Sequence, residues 1–221
     1  MYSKEGYRNL FIVNHPLIQH KLSIMRDINT DNKNFRILLQ EITWLLTYEA
    51  TANMELCSRK IETPLEVYDN APFLVQKSPF IIPILRAGLF MSEAMLDLLP
   101  CAKIGHIGMY RDKVTKKPVE YFVKIPKYNN ERIFLVDPMF ATGNSAVDTV
   151  DILVKHGVNT DKITFVALIG TMEAVDNFNK KYPQIPIYIA AIDKGLNKDA
   201  HILPGLGDAG DRLFGTEETQ D

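Results

Sequence analysis

Apolar and polar positions follow two alternating periods in the central part of the chain. Continuous apolar runs occur in RIFLVD (132–137), KITFVALIG (162–170) and IPIYIAAID (185–193), which predicts strands buried on both faces. Between them, SAVDTVDILVKH and TMEAVDNFNKKY have helical periodicity. The predicted buried face of the first helix comprises Ala146, Val150, Leu153 and Val154. This βαβαβ order predicts an α/β fold with a doubly wound parallel sheet covered by helices.

The preceding segment continues the alternation and then departs from it. PFIIPIL (79–85) predicts another buried strand, in which Pro83 favours an edge position because proline cannot donate to a ladder. LFMSEAMLDLLP predicts a short helix, and AKIGHIGMY a further strand. The charged segment RDKVTKKPVEYFVKIP (111–126) interrupts this order, and we interpret it as a projecting hairpin or lid.

The first part of the chain is predicted to be mainly helical. One apolar stripe at helical spacing comprises Ile18, Leu22 and Met25, and a second comprises Phe35, Leu38, Leu39, Ile42, Leu45 and Leu46. Trp44 lies within the second stripe and is predicted to belong to the core. Residues 55–78 carry the least readable pattern of the chain.

Composition adds limits on the class of protein. With 221 residues, 46% hydrophobic and 24% charged, the chain is typical of one globular domain. A net charge of -2 argues against a dedicated binder of nucleic acid or membrane surfaces. Cys57 and Cys101 are too few for a zinc site or a disulfide framework, which favours a reducing compartment. The sequence shows neither a signal peptide nor an apolar run long enough to span a membrane, so we expect a cytoplasmic protein.

The stretch PGLGDAGDRLFG (204–215) carries the spacing of a dinucleotide-binding fingerprint at Gly205, Gly207 and Gly210. That fingerprint requires a preceding strand, a following helix and an acidic residue about 20 positions later. Residues 211–221 leave no room for a helix and a second strand, so we expect no dinucleotide site.

A different loop has the features of an anion site. Asp137 ends the strand RIFLVD, and the loop PMFATGNS (138–145) leads into a helix whose first N–H groups lack intrahelical partners. Thr142 and Ser145 add hydroxyl donors, and a carboxylate at Asp137 suits a ribose diol or a metal. The alternative is that these residues only cap a helix and end a strand. No G-x-x-x-x-G-K-[ST] motif occurs, which disfavours a P-loop enzyme.

The segment VDPMFATGNSA (136–146) resembles the phosphoribosyl pyrophosphate (PRPP) loop of type I phosphoribosyltransferases, in the Asp-Pro-Met form found in uracil phosphoribosyltransferases. Further stretches resemble this family in the same order: LLTYEAT, PILRAG, MYRD, PVEYFVKIP and GLN…ILPGLGDAGDRLFGT. The resemblance covers about residues 15–216. It implies the type I phosphoribosyltransferase fold, with a core at about 80–193, a hood from about 1–79 and 194–221, and a projecting β-hairpin arm.

The resemblance also implies a reaction, in which uracil and PRPP give UMP and diphosphate. Arg86, Arg111 and Asp137 are the implied catalytic residues, with both arginines on the diphosphate and Asp137 on the ribose hydroxyls. The implied PRPP-binding set is Arg86, Arg111, Asp137, Pro138, Met139, Phe140, Ala141, Thr142, Gly143, Asn144, Ser145 and Asp208. The implied uracil-binding set is Ile202, Gly207, Asp208 and Ala209. Mg²⁺ is implied as a cofactor carried by PRPP, without a direct protein ligand.

Four positions depart from the family pattern: Phe140, Asn144, Lys194 and His201. The implied partners are the two small-molecule substrates and further copies of the chain, in a homodimer or homotetramer, with no nucleic acid and no membrane. Some relatives are activated by GTP, and the sequence leaves GTP activation open. An alternative is an RNA-binding regulator of pyrimidine genes on the same fold, which would need a basic face. A purine or orotate enzyme is disfavoured because Pro138 follows Asp137 where those enzymes have an acidic pair.

Overall fold

A seven-stranded sheet forms the centre of the computed structural model, which describes residues 2–4, 6–75, 78–111 and 118–216. The strands lie in the order β1 (Tyr2–Lys4), β2 (Tyr7–Ile12), β11 (Ile187–Asp193), β10 (Ile163–Thr171), β9 (Ile133–Phe140), β5 (Phe80–Pro83) and β6 (Lys103–Ile104). β1 is antiparallel to β2, and the other six strands are parallel. The predicted α/β fold with a parallel sheet is confirmed.

Helices cover both faces of this sheet. They are α1 (Pro16–Arg26), α2 (Asn32–Thr51), α3 (Gly88–Leu98), α4 (Asn144–Lys155), α5 (Met172–Asn179) and α6 (Ala209–Phe214), with a short 3-10 helix at Thr160–Lys162. Ile133 and Leu135 of β9 pack in one core cluster with residues of α4 and α5. Phe134 and Val136 face the opposite cluster, which contains residues of α1, α2, α3 and α6. Successive side chains of this buried strand point to opposite faces of the sheet, so β9 contributes to two cores.

Three short antiparallel pairs lie outside the central sheet. They are β3 (Leu56–Glu62) with β4 (Val67–Leu74), β7 (His106–Arg111) with β8 (Pro118–Lys124), and β12 (Gly195–Leu196) with β13 (Ile202–Leu203). The hairpin predicted within 111–126 is found in part: β8 lies in that range, but its partner β7 precedes the range except for Arg111, and residues 112–117 lie outside the described part. The single strand predicted over 102–110 is instead divided between β6 in the sheet and β7 in this hairpin.

Two expectations about the sheet need correction. β5 lies between β9 and β6, not at an edge. Pro83 is tolerated there because β6 pairs only with Phe80 and Ile81, so no neighbour on that side requires a donor from Pro83. Residues 7–12 fall within the range assigned to the hood, yet they form β2, which pairs with β11.

Two side chains predicted to be buried lie further outward. Val154 is 42% exposed, because the buried stripe of α4 includes Thr149 and Ile152 and is therefore rotated away from it. Trp44 is only partly buried, and its indole N–H donates to Asp97 at 3.0 Å, which explains why it faces outward. Within the described residues, no helix is both long and apolar enough to cross a membrane.

An aromatic cluster supports the end of β9. Phe178 of α5 is fully buried, with its ring centroid 5.9 Å from Phe140 and 5.8 Å from each of Phe165 and Tyr182. Phe140 was assigned by resemblance to the PRPP-binding set, but its side chain is 1% exposed and belongs to this core. The cluster thus holds the strand end from which the following loop departs.

We expect Phe178→Ala to lower the free energy of unfolding by about 3–5 kcal/mol, because it removes a buried ring and leaves a cavity. Tyr48→Ala is the matched control, since Tyr48 is 72% exposed on α2. Its effect is expected to stay within about 0.5 kcal/mol. Urea denaturation of both variants measures the difference. Equal losses would contradict the assignment of Phe178 to a supporting core.

Candidate functional site

A cavity of about 300 Å³ lies where β5 and β9 end, beneath the C-terminal segment. We call it the central cavity. Its lining residues come from three parts of the chain: Arg86, Ala87, Asp137, Met139, Ala141, Ala200, His201, Ile202, Gly207, Asp208, Ala209 and Gly210. The carboxyl ends of parallel strands are where sheets of this kind bind ligands, so the position agrees with the topology.

The loop between β9 and α4 forms one side of the site. Gly143 precedes α4 with φ of 79°, a left-handed conformation that favours glycine. A Cβ at this position would also lie 2.7 Å from the carbonyl oxygen of Ala174. The loop can therefore pack closely against α5 only with glycine at this position. As a result, the start of α4 and its first backbone N–H groups are held in place.

Two side chains, one at the end of β10 and one in α5, hold this loop by hydrogen bonds. The Thr171 hydroxyl donates to the carbonyl oxygen of Ala141 at 2.7 Å. The Asn177 amide donates to the carbonyl oxygen of Thr142 at 2.9 Å and to Asn144 Oδ1 at 2.8 Å. Asn144, one of the departures from the family pattern, is thus a partner in this brace. The loop is preorganised by hydrogen bonds from two residues that do not line the central cavity.

Asp137 lies at the wall of the central cavity, four residues before Ala141. Burial against the apolar end of the sheet raises its pKa from 3.8 to about 7, while a hydrogen bond from the Met139 N–H to Oδ1, at 3.2 Å, opposes the rise. The carboxyl group can therefore change its protonation state near neutral pH. A group with this property in a cavity is a candidate for ligand binding.

Arg86 brings a positive charge to the opposite wall. Its side chain is 62% exposed and lies 3.9 Å from Asp211 Oδ1, so the ion pair is loose. The guanidinium carbon also lies 5.5 Å from the centre of the Phe214 ring. Both partners belong to α6, so the arginine and the C-terminal segment meet at this wall. An arginine held only loosely can turn towards an anionic ligand.

The segment 202–208 closes the cavity on the third side. Gly205 has φ of 61°, and a Cβ there would overlap the carbonyl oxygen of Ile202. The chain therefore folds tightly over Ile202 and leads into Gly207. Asp208 caps α6 by accepting a hydrogen bond from the Asp211 N–H at 2.9 Å. The residues that line this side of the cavity include Gly207, Ala209 and Gly210, which carry little or no side chain.

Arg212 fastens this segment to the rest of the molecule. Its guanidinium donates to the carbonyl oxygens of Met25 and Leu206, both at 2.9 Å, and to those of Asp27 and Thr30, at 2.7 and 3.0 Å. Arg212 also lies over Phe35, 4.4 Å from the ring centre. The C-terminal segment is thereby tied to the end of α1 and the start of α2.

The central cavity brings together eight of the site residues implied by the resemblance: Arg86, Asp137, Met139, Ala141, Ile202, Gly207, Asp208 and Ala209. Thr142 and Asn144 line an adjoining open cleft of about 550 Å³, and Ser145 is exposed at the start of α4. Pro138 is buried beside Phe140 in β9. Arg111 is the last residue of β7, and its side chain lies outside the description.

Four lining residues were absent from the predicted sets: Ala87, Ala200, His201 and Gly210. Ala87 lies within PILRAG and Gly210 is the last glycine of the G-x-G-x-x-G spacing, so both could have been taken from motifs already singled out. His201 had been noted only as a departure from the family pattern. Nothing in the sequence predicts that Ala200 lines the cavity, because its placement depends on a backbone φ of 64° that the sequence does not show.

The comparisons with known sequences indicate one and the same family. Residues 12–216 match the family model described as uracil phosphoribosyltransferase. A protein of Rhodospirillum centenum with that name is 52% identical over 98% of this chain and 100% of its own length. One of Paraburkholderia phymatum, also so named, is 49% identical over 96% of this chain and 97% of its own.

Solved structures agree at the level of the fold. The AQ2163 protein of Aquifex aeolicus aligns with a TM-score of 0.86 and 30% identity, covering 95% of this chain and 99% of its own. An adenine phosphoribosyltransferase of Trypanosoma brucei aligns with a TM-score of 0.60 and 12% identity, covering 90% of each chain. The family model and the relatives about half identical over nearly their full lengths show that the chain belongs to the uracil phosphoribosyltransferase family.

Proposed function

We propose that the chain transfers the phosphoribosyl group of PRPP to uracil in the central cavity, giving UMP and diphosphate. The observation that carries this proposal is that Asp137, Arg86 and the glycine-containing C-terminal segment line one cavity, with the anion loop entering it at Ala141 and continuing along an adjoining cleft. Family membership supplies the reaction. The cavity volume of about 300 Å³ suits a small base together with part of a ribose.

The loop 141–145 is proposed to bind the 5′-phosphate of PRPP. The first N–H groups of α4 have no intrahelical partners, and the helix dipole puts its positive end there, which together favour a phosphate. The braces from Thr171 and Asn177 support this role, since they hold the loop before any ligand arrives. Asp137 is proposed to accept hydrogen bonds from the ribose hydroxyls.

The segment 202–209 is proposed to bind uracil. Ile202 supplies an apolar surface, 4% exposed, and the main chain of Gly207, Asp208 and Ala209 supplies donors and acceptors for the polar edge of the base. A site that matches a fixed row of carbonyl and N–H groups disfavours cytosine, because mismatched buried polar groups are costly. The proposed role of this segment as a hood follows from the same placement.

In the proposed reaction, N1 of uracil attacks C1 of the ribose from the face opposite the diphosphate. The new C–N bond forms as the C–O bond to diphosphate breaks, the bonding electrons leave with the diphosphate, and the proton of N1 is released to solvent. Positioning of the two substrates and stabilisation of the leaving diphosphate then provide most of the catalysis. Arg86 is proposed to stabilise the diphosphate, with Arg111 as the second arginine.

Mg²⁺ is proposed to enter with PRPP. Across the described residues, no group of three or more His, Cys, Asp or Glu side chains could hold a metal ion. Asp137 and Asp208 both line the cavity, which fits a metal held mainly by substrate oxygens with carboxylates nearby. When bound, Mg²⁺ neutralises charge on the diphosphate.

Incubation of the protein with Mg²⁺, PRPP and each of uracil, cytosine, orotate, hypoxanthine and guanine tests the proposed function. We expect UMP and diphosphate from uracil only. Absence of UMP would sink the proposal. The alternative of an RNA-binding regulator has no support in the comparisons, whose named relatives are enzymes.

We expect Arg86→Ala to lower kcat/KM for UMP formation by about 10²–10³-fold, because it removes a charge that stabilises the transition state. The melting temperature should stay unchanged, since the side chain is largely exposed and only loosely paired. Arg59→Ala, in the β3–β4 hairpin, is the matched control and should retain wild-type kinetics. Wild-type turnover in Arg86→Ala would contradict the assigned role.

Asp137 should make activity depend on pH near neutrality. Because its pKa is about 7, kcat/KM for PRPP is expected to fall as the pH drops below 7 and the carboxylate is protonated. Asp137→Asn should lose both this inflection and most of the activity. A pH profile of wild type that stays flat between pH 6 and 8 (roughly one unit either side of this pKa) would refute the role of the carboxylate.

The same substitution should stabilise the fold above neutral pH. A native pKa raised from 3.8 to about 7 means that ionisation of Asp137 costs stability as the pH rises through this interval. At pH 8, Asp137→Asn is expected to raise the melting temperature by at least about 2 °C. At pH 4 the gain should largely disappear, which differential scanning calorimetry can measure.

A further inference from the structure

An ion pair outside the central cavity holds the segment proposed to bind the base. Arg26, the last residue of α1, and Asp193, the last residue of β11, form two parallel contacts: Nη2 to Oδ1 at 2.6 Å and Nη1 to Oδ2 at 2.7 Å. Their side chains are 21% and 5% exposed. A bidentate pair with little solvent fixes both distance and orientation.

The pair binds both backbone groups of one glycine. Arg26 Nη1 donates to the carbonyl oxygen of Gly205 at 2.6 Å, and the N–H of Gly205 donates to Asp193 Oδ2 at 3.0 Å. The peptide planes on either side of Gly205 are therefore set by a single charged unit. Neither Arg26 nor Asp193 lines the central cavity.

The consequence for the cavity follows from the tight fold of the chain around Gly205. Its Cα lies so close to the carbonyl of Ile202 that no side chain fits between them. Ile202 and Gly207, which both line the cavity, lie three residues before and two residues after Gly205. A shift of Gly205 must therefore move the apolar surface and the main-chain groups of the base site together.

We propose that Arg26 and Asp193 are positioning residues for recognition of the base, acting through Gly205. This inference rests on the proposed function, because it assumes that the base lies against residues 202–209. The phosphate loop at 141–145 is braced separately by Thr171 and Asn177. Loss of the pair should consequently weaken uracil binding while leaving PRPP binding nearly unchanged.

The test compares Arg26→Met, Arg26→Lys and the double variant Arg26→Met/Asp193→Asn with wild type. The double variant leaves no unpaired buried charge, so it avoids the instability that a lone Asp193 carboxylate would cause. Arg212 still holds Leu206 in every variant, which keeps the C-terminal segment attached. Arg36→Met is the matched control, since Arg36 donates to the carbonyl of Leu213, away from Gly205.

We expect the KM for uracil to rise by about tenfold or more in Arg26→Met and in the double variant, with the KM for PRPP within about twofold of wild type. The KM for uracil of Arg26→Lys should lie between those of wild type and Arg26→Met, because lysine keeps the charge but loses the bidentate geometry. Hydrogen exchange in residues 202–210 should accelerate in Arg26→Met and in the double variant. Arg36→Met should alter neither the ratio of the two KM values nor that exchange.

An unchanged uracil KM in the double variant would overturn this inference alone, as would parallel rises of both KM values. A wild-type chain that forms no UMP would overturn the proposed function, and this inference with it. Exchange in residues 202–210 that stays as slow as in wild type would contradict the role of the pair independently of activity.

Discussion

The parallel register of β9 with β10 is the constraint on which the rest of the site depends. Phe140 pairs with Gly170, so the two strands end side by side and release their loops at the same edge. The Thr171 hydroxyl can then reach the carbonyl of Ala141, and Asn177 can reach that of Thr142. With another register these partners would face different residues, and the loop before α4 would lose its support.

A second layer of contacts completes the site from the C-terminal side. Arg212 ties Leu206 to the region between α1 and α2, while the Arg26–Asp193 pair holds Gly205. The ends of β5 and β9 thus supply part of the cavity lining, and two arginine networks hold in place the C-terminal segment that supplies another part. This division agrees with separate binding of a phosphoribosyl donor and a base on the two sides of one cavity.

Local pattern was sufficient for the elements that are buried on both faces. The apolar runs of β9, β10 and β11 and the helices between them were predictable because their periodicity reflects burial directly. The β3–β4 hairpin was not, since residues such as Leu56, at 62% exposed, and Val67, at 49%, lie outward and blur the alternation. Val154 and Trp44 were predicted to be buried but are partly exposed, because the spacing of apolar residues does not show where the buried face of a helix ends.

The site was predictable where a short motif carries it and not where partners are distant in sequence. Residues 137–145, which end β9 and lead into α4, and the segment around Gly207 could be singled out from the printed residues. The contact of Arg26 with Asp193 spans 167 residues and that of Asn177 with Thr142 spans 35, and no local pattern records either. The pKa of Asp137 likewise depends on burial that only the assembled sheet creates.

The central claim is that the central cavity holds the base against the C-terminal segment, while the phosphate lies against the loop before α4, at the adjoining cleft. A crystal structure of the protein with bound UMP tests it most directly. The account predicts the uracil ring beside Ile202, within hydrogen-bond distance of main-chain groups of residues 207–209, and the 5′-phosphate at residues 141–145. A uracil ring bound outside the central cavity, or a nucleotide with its base and phosphate exchanged, would contradict the account.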